Sequence, residues 1–234
     1  MSFLVGVKNG GLGADRRLGH NRSMLGTLSH HLPASHYRRE RWRNGAGWTR
    51  EILAIPESQD WALRLSIAEL NEPARYSKFP GVEREQVLLS GESLQLGFDD
   101  GEQVRLRPPY QRHRFSGERP LEAVPEGPVQ AFNLMWKPDL LDVEVLHRPL
   151  VGDLFCFAEA GSAWAVHLLG GQMGIEGPGV SFQLASGDTA WLSGASGRRY
   201  AIDGGGEVLL MRVRPSNASL TIASEVSGLA LSLQ

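Results

Sequence analysis

The sequence predicts an all-β protein, and hydrophobic alternation is the main reason. Residues 61–68 alternate strictly: leucine or isoleucine occupies positions 63, 65 and 67, whereas Arg64 and Ser66 lie between them. This is the period of a strand that buries one face. The thirteen prolines and 28 glycines are spread along the chain, which fits many short strands better than long helices.

Further strands are predicted at residues 86–89, 93–96, 103–106 and 132–135, where short apolar runs are bounded by turn residues. The sequence Asp99-Asp100-Gly101 indicates a hairpin turn between two of these runs. Residues 1–35 lack a hydrophobic period and are predicted to form a flexible N-terminal tail. The strands therefore begin near residue 36.

Composition limits the kinds of partner. Lysine plus arginine (24) nearly balances aspartate plus glutamate (26), so neither nucleic acid nor a membrane surface is expected to bind through net charge. No stretch approaches the roughly 18 apolar residues of a membrane span. The single cysteine, Cys156, lies in an apolar run and is predicted to be a buried thiol. We expect a cytoplasmic protein.

An internal repeat refines the fold. The run Val-Leu-Leu-Ser-Gly at residues 87–91 reappears about 80 residues later as His-Leu-Leu-Gly-Gly at 167–171. Each copy reads as an apolar strand followed by a glycine turn. The later Gly187-Asp188 turn resembles a turn typical of cupin barrels. The prediction is a bicupin, with two cupin-like β-barrels of the jelly-roll type at residues 36–145 and 146–234.

No metal site is predicted. A metal-dependent cupin brings several histidine and carboxylate ligands together inside its barrel. Here His113, His147 and His167 stand alone in the sequence, and a lone histidine is expected to be a hydrogen-bonded core or surface residue. Common nucleotide-binding and hydrolase motifs are also missing, so no cofactor is expected.

One polar segment invites a functional interpretation. Asn44, Thr49, Arg50 and Glu51 surround two glycines, and Arg64 and Ser66 extend from the polar face of the next strand. An arginine inside a barrel needs an anionic partner, and its guanidinium matches a carboxylate in bidentate geometry. The partner is either an acid of the protein, such as Glu51, or a bound ligand.

These residues, in this order, resemble the HutD/Ves family. The matching segments lie between residues 42 and 135 and include Asn44-Gly45, Thr49-Arg50-Glu51-Ile52, Arg64-Leu65-Ser66-Ile67-Ala68, Tyr76-Ser77-Lys78-Phe79-Pro80-Gly81-Val82, Arg84, Phe115, Gly117, Gly127-Pro128 and Phe132-Asn133-Leu134-Met135.

The resemblance implies a bicupin fold, a homodimer and no established enzymatic activity. It also implies a role in regulating histidine utilisation by binding a small carboxylate intermediate such as urocanate, formiminoglutamate or formylglutamate. Arg64 would be the charge anchor, with aromatic walls from Trp42, Trp61 or Phe79. Carried over position by position, the ligand-binding residues are Asn44, Thr49, Arg50, Glu51, Arg64, Ser66, Arg84 and Asn133.

Two other functions stay open at the level of sequence. One is a metal-free cupin enzyme, an isomerase or hydrolase that uses Glu51 as a general base on a small carboxylate. The other is a protein-interaction module, which would expose a large apolar patch.

Overall fold

A computed structural model describes residues 25–42, 45–194 and 197–216 of the chain. In this part the protein is built from strands, with a short 3₁₀ turn at Ala34–His36 and no α-helix, which confirms the all-β prediction. The strands are β1 (His30–Leu32), β2 (Arg38–Arg41), β3 (Gly47–Ile55), β4 (Leu63–Leu70), β5 (Ala74–Arg75), β6 (Glu83–Ser90), β7 (Ser93–Phe98), β8 (Gln103–Leu106), β9 (Arg112–Ser116), β10 (Leu121–Glu126), β11 (Val129–Trp136), β12 (Leu141–Val151), β13 (Leu154–Ala158), β14 (Ala163–Gly177), β15 (Val180–Ala185), β16 (Thr189–Ser193) and β17 (Arg198–Pro215).

The strands form three antiparallel sheets. A six-stranded sheet has the order β2-β3-β4-β11-β6-β9, and a four-stranded sheet has the order β5-β10-β7-β8. A seven-stranded sheet has the order β1-β16-β14-β17-β12, with β13 added to β17 and β15 added to β14. The runs predicted at residues 86–89, 93–96, 103–106 and 132–135 all lie within observed strands.

The inner strands β4 and β11 of the six-stranded sheet bury residues on both faces. Leu63, Leu65 and Ile67 of β4 pack in a core cluster with apolar side chains of β12, β14, β16 and β17. On the opposite face, Ala68 and Leu70 of the same strand pack in a second cluster with side chains of the four-stranded sheet. The alternation of β4 therefore divides its residues between two cores.

A third apolar cluster lies among the strands of the seven-stranded sheet and includes Val166, Leu168 and Leu210. Cys156 belongs to it, and burial raises the pKa of this thiol to about 12. Cys156 is therefore an un-ionised core residue at neutral pH, as predicted.

Strand β17 changes partner along its length. Its residues up to Ile202 pair with β13, whereas those from Gly205 onward pair with β12. The neighbouring strand β14 has a register shift between Leu168 and Gly170 at the same level. Glycines gather at this bend, because two backbones approach each other more closely there than a side chain would allow.

The N-terminal part of the described chain corrects a prediction. Residues 30–32 form β1, which pairs with β16, and the indole Nε1 of Trp191 donates to the carbonyl of the buried Leu25 at 3.2 Å. Residues 25–35 are therefore packed on the protein and are not a tail. The sequence did not reveal this because a three-residue strand beginning His30-His31 carries no hydrophobic period. Residues 1–24 lie outside the described residues.

The pairing of β12 can be compared with the predicted boundary between residues 145 and 146. Strand β12 pairs with β17 from Leu141 to Val151. The chain therefore enters the seven-stranded sheet at Leu141, a few residues before that boundary.

A buried polar network connects Tyr37, which precedes β2, with strands β14 and β16 of the seven-stranded sheet. The Tyr37 hydroxyl donates to the Gly187 carbonyl at 2.8 Å and lies 2.8 Å from the Thr189 hydroxyl. His167 places Nδ1 2.9 Å from the same Thr189 hydroxyl, and its ring is 5.0 Å from that of Phe132. Burial lowers the pKa of His167 to about 4. The isolated histidine is thus a hydrogen-bonded core residue.

This network predicts a pH dependence of stability. The pKa of His167 is about 4 in the folded protein, against 6.5 for an exposed histidine, so between these values the unfolded chain binds a proton that the folded protein does not. The free energy of unfolding should therefore fall as pH decreases from 6.5 towards 4, by up to about 1.4 kcal/mol per pH unit. Denaturant unfolding of the wild type and His167→Gln at several pH values measures this slope.

We expect a shallower slope in His167→Gln. The neighbouring Asp188 has a pKa below its ordinary value of 3.8, so it titrates mainly below this window and does not mask the effect. Equal slopes in the two proteins would contradict the prediction.

Candidate functional site

A cavity of about 500 Å³ opens on the face of the six-stranded sheet that meets the four-stranded sheet. Its walls come from β2 to β6, from the segment after β5, and from β11. The lining residues are Glu40, Arg41, Trp42, Thr49, Arg64, Ser66, Arg75, Tyr76, Ser77, Phe79, Arg84, Asn133 and Met135.

Strand register brings the polar side chains together. On β11, Asn133 lies opposite Ser66 of β4, while Met135 lies opposite Arg64 on one side and Arg84 of β6 on the other. Residues directly opposite in neighbouring strands extend from the same face of a sheet. Three strands therefore direct a shared set of polar groups into the cavity.

Arg84 is a buried cation without a counterion. Its side chain is almost fully enclosed, and the whole residue is 5% exposed. Nη2 donates to Asn133 Oδ1 at 3.0 Å, but Nε has no hydrogen-bond partner. The guanidinium lies over the rings of Tyr76, Phe115 and Phe79, at 4.7, 5.2 and 5.9 Å. Within the described residues, no carboxylate lies within 4.0 Å of it.

Burial is the main cause of a lowered pKa for Arg84, about 10, and the nearby charge of Arg64 lowers it further. A group with this pKa still carries its positive charge at neutral pH. The cavity floor therefore presents a desolvated cation, stabilised partly by aromatic faces.

Arg64 has a partner within the protein. Its Nε donates to Glu51 Oε2 at 2.7 Å, and the other oxygen of Glu51 accepts from Arg38 Nη2 at 2.8 Å. Arg64 lines the cavity, whereas Glu51 does not. Glu51 therefore lies next to Arg64 but outside the cavity lining, and it compensates the charge of Arg64.

Aromatic side chains shape the cavity walls. The indole Nε1 of Trp42 donates to Thr49 Oγ1 at 2.7 Å, and the Trp42 ring meets Tyr76 edge-on at 5.8 Å. Phe79 also lines the cavity and contacts the Trp61 ring at 6.0 Å. Of the three predicted aromatic walls, Trp42 and Phe79 line the cavity and Trp61 lies next to Phe79.

Most of the predicted ligand-binding residues lie together, since Thr49, Arg64, Ser66, Arg84 and Asn133 all line the cavity. The exceptions have simple causes. Arg50 lies opposite Ile67, on the other face of β3, and forms an ion pair with Glu69 at 2.8 Å. Asn44 lies outside the described residues.

Sequence reasoning missed several lining residues. Tyr76 and Ser77 follow the two-residue strand β5, where no alternation marks a face. The only sequence signal was their place in a segment that matches the HutD/Ves pattern. The others that were missed are Glu40, Arg41, Arg75 and Met135.

The arrangement is suited to holding a small anion. Arg84 and Arg64 offer guanidinium donors, and the hydroxyls of Ser66 and Ser77 offer neutral ones. The geometry is less favourable for a general base at Glu51, because both of its oxygens already accept from arginines.

The described part of the chain contains no group of three or more histidine, cysteine, aspartate or glutamate side chains placed to hold a metal ion. It also contains no helix with the length and apolar character needed to cross a membrane. Phe155 and Phe157 of β13 are exposed, and the interaction-module hypothesis would rest on such apolar surface.

The fold is that of a cupin-like all-β protein, here with a small polar cavity. A conserved protein of unknown function from Pseudomonas aeruginosa PAO1 has a similar structure, with a TM-score of 0.72 and 26% identity, over 82% of this chain and 100% of the other. HutD from Pseudomonas fluorescens SBW25, solved in a formate condition, has a TM-score of 0.70 and 24% identity, over 81% and 100%.

The HutD family model matches residues 34–210, and the chain belongs to the HutD family. Sequence relatives include an uncharacterized 21.2 kDa protein in the hutC 3′ region of Pseudomonas putida, 36% identical over 110 residues (46% of this chain, 57% of the relative). Protein Ves of Escherichia fergusonii is 39% identical over 97 residues (40% and 50%). The chain thus spans about half the length of these curated relatives.

Proposed function

We propose that this protein binds a small carboxylate in the cavity and acts as a non-catalytic binding protein. One observation carries the proposal: Arg84 is buried, charged at neutral pH and without a carboxylate partner among the described residues. Removing a guanidinium from water costs several kcal/mol unless an anion or a full set of hydrogen bonds compensates. A ligand carboxylate would supply the anion and would accept hydrogen bonds from the guanidinium.

The cavity fits such a ligand in size and in polarity. Its volume of about 500 Å³ lies within the range of small-molecule sites. Charged donors line it together with hydroxyls and the amide of Asn133, while Trp42 and Phe79 provide apolar walls. This combination would hold a carboxylate at the arginines and a short polar or conjugated body against the aromatic rings.

The relatives support a place in histidine utilisation. One of them is encoded in a hutC 3′ region, and a solved structure named HutD has a similar fold. We therefore propose that the ligand is a carboxylate intermediate of this pathway: urocanate, formiminoglutamate or formylglutamate. Binding it would let the protein modulate histidine utilisation.

The experiment is a calorimetric titration of the purified protein with these three compounds, histidine and formate, combined with thermal-shift measurements. A true ligand should raise the melting temperature by mass action. Arg64→Ala should weaken binding about tenfold or more, because it removes a guanidinium donor and leaves Glu51 near the ligand with Arg38 as its remaining partner.

Arg50→Ala is the matched control. Arg50 lies one position from Thr49 on the same strand and forms an ion pair with a glutamate, but it extends from the opposite face. Affinity should be unchanged in this variant. If none of the carboxylates binds the wild type, the proposed function is wrong.

We also propose that the two halves are duplicated cupin-like units. The aligned residues Val87 and His167 of the repeat both face the core between the six-stranded and seven-stranded sheets. This equivalent placement supports a bicupin, with the central core as the contact between units.

A further inference from the structure

The two arginines of the cavity differ in charge compensation. Arg64 donates to Glu51 at 2.7 Å, whereas Arg84 has only the neutral amide of Asn133 and aromatic faces as partners. Arg64 and Glu51 have side-chain exposures of 19% and 18%, so water screens their interaction only in part. To a ligand, the pair is close to neutral.

The other charged groups at the cavity add little to this balance. Arg75 is paired with Asp99 at 2.5 Å. Arg38 contacts both Glu51 and Glu40, at 2.8 and 3.1 Å, so the charges of these two glutamates together offset those of Arg38 and Arg64. Arg41 also lines the cavity, but it is exposed and its charge is screened by solvent. Among the described lining residues, Arg84 is therefore the buried cation whose charge the protein does not offset.

We propose that Glu51 determines the charge of the ligand: by neutralising Arg64, it limits the cavity to a compound with one carboxylate. Of the three compounds proposed above, this favours urocanate over formiminoglutamate and formylglutamate, which each have two carboxylates. The inference rests on the proposed function, since it assumes that a carboxylate occupies the cavity. It assigns Glu51 the role of a positioning and charge-selecting residue that acts through Arg64.

The physical reason is competition at Arg64. A first carboxylate compensates Arg84. A second carboxylate would have to share the Arg64 guanidinium with Glu51, placing two negative charges around one positive charge in a partly desolvated site. Like charges at such distances repel strongly when water is largely excluded. A neutral amide or hydroxyl at the same position avoids this repulsion and still accepts a hydrogen bond from Arg64.

Glutarate and its monoamide glutaramate provide the test, because they have nearly the same shape and differ by one charge. Calorimetric titrations of the wild type should show that glutaramate binds about tenfold more tightly. In Glu51→Gln, glutarate should gain about tenfold relative to glutaramate, because Arg64 becomes a second uncompensated cation. Glu51→Asp should retain the wild-type preference if its shorter carboxylate still reaches Arg64.

Glu69→Gln is a closely matched control. The Glu69 side chain is 19% exposed and contacts two arginines, Arg39 and Arg50, as Glu51 contacts Arg38 and Arg64. It does not line the cavity, so the ratio of the two affinities should stay at its wild-type value. A merely structural effect of losing a glutamate would appear in both variants.

The outcomes separate the inference from the proposed function. Tighter binding of glutarate than glutaramate by the wild type would overturn the inference while leaving the proposed function intact, and so would an unchanged ratio in Glu51→Gln. The wild-type ratio is decisive even if Glu51→Gln does not fold. If the wild type binds one of the carboxylates of the first titration but neither glutarate nor glutaramate, the inference is overturned and the proposed function stands. If it binds none of these carboxylates, both fail.

Discussion

Arg84→Met is expected to lower the affinity for a carboxylate ligand about a hundredfold, or about 2.7 kcal/mol, without destabilising the protein. Methionine has a similar length and flexibility and can fill the space between the rings of Tyr76, Phe79 and Phe115. The variant removes a buried charge that no carboxylate of the described residues offsets. Replacing such a charge with an apolar group is often neutral or stabilising.

Titration calorimetry and thermal unfolding of the ligand-free proteins measure the two effects separately. Arg114→Met is the control: Arg114 lies over the Trp136 ring at 4.6 Å and also pairs with Glu83, but it does not line the cavity. This control should bind normally. Arg84→Met would contradict the prediction if it kept wild-type affinity, or if it lost binding only because it had unfolded.

The second large effect is expected at the bend of β17. Gly206 has a φ of 144°, and a Cβ added there would lie 1.9 Å from the carbonyl oxygen of Gly170 on β14. Neither backbone can move away without breaking the pairing of β14 with β17. Gly206→Ala should therefore lower the free energy of unfolding by at least about 3 kcal/mol.

The adjacent Gly205 is the control, because a Cβ there would meet no atom within 4 Å. Gly205→Ala should change stability by less than about 0.5 kcal/mol. Denaturant unfolding of both variants compares them directly. Equal stability of the two variants would mean that the backbones can separate at this bend.

Much of the fold could be predicted because alternation is a local property. The pattern of β4 correctly separated Leu63, Leu65 and Ile67, which are buried, from Arg64 and Ser66, which line the cavity. The same rule could have separated Thr49 from Arg50, since consecutive residues of a strand extend from opposite faces. Arg50 was included because it belongs to the HutD/Ves pattern.

The roles of the two arginines could not be predicted from sequence. Arg64 appeared to be the charge anchor because it stands in the clearest strand. Whether an arginine has a counterion depends on which strands become neighbours: Glu51 lies opposite Ser66, next to Arg64, whereas Arg84 lies opposite Met135 and Phe115. Which strands become neighbours cannot be predicted from the pattern of a single sequence.

The position of β1 bears on how the protein unfolds. The described chain begins in the seven-stranded sheet at β1, crosses to the six-stranded and four-stranded sheets, and returns at β12. The first half is thus an insertion between two strands of the second. Cleaving the chain at one position would not separate the complete seven-stranded sheet from the other two sheets. A fragment starting at residue 146, for example, would lack β1 and part of β12. Thermal unfolding of the intact chain should therefore be one cooperative transition.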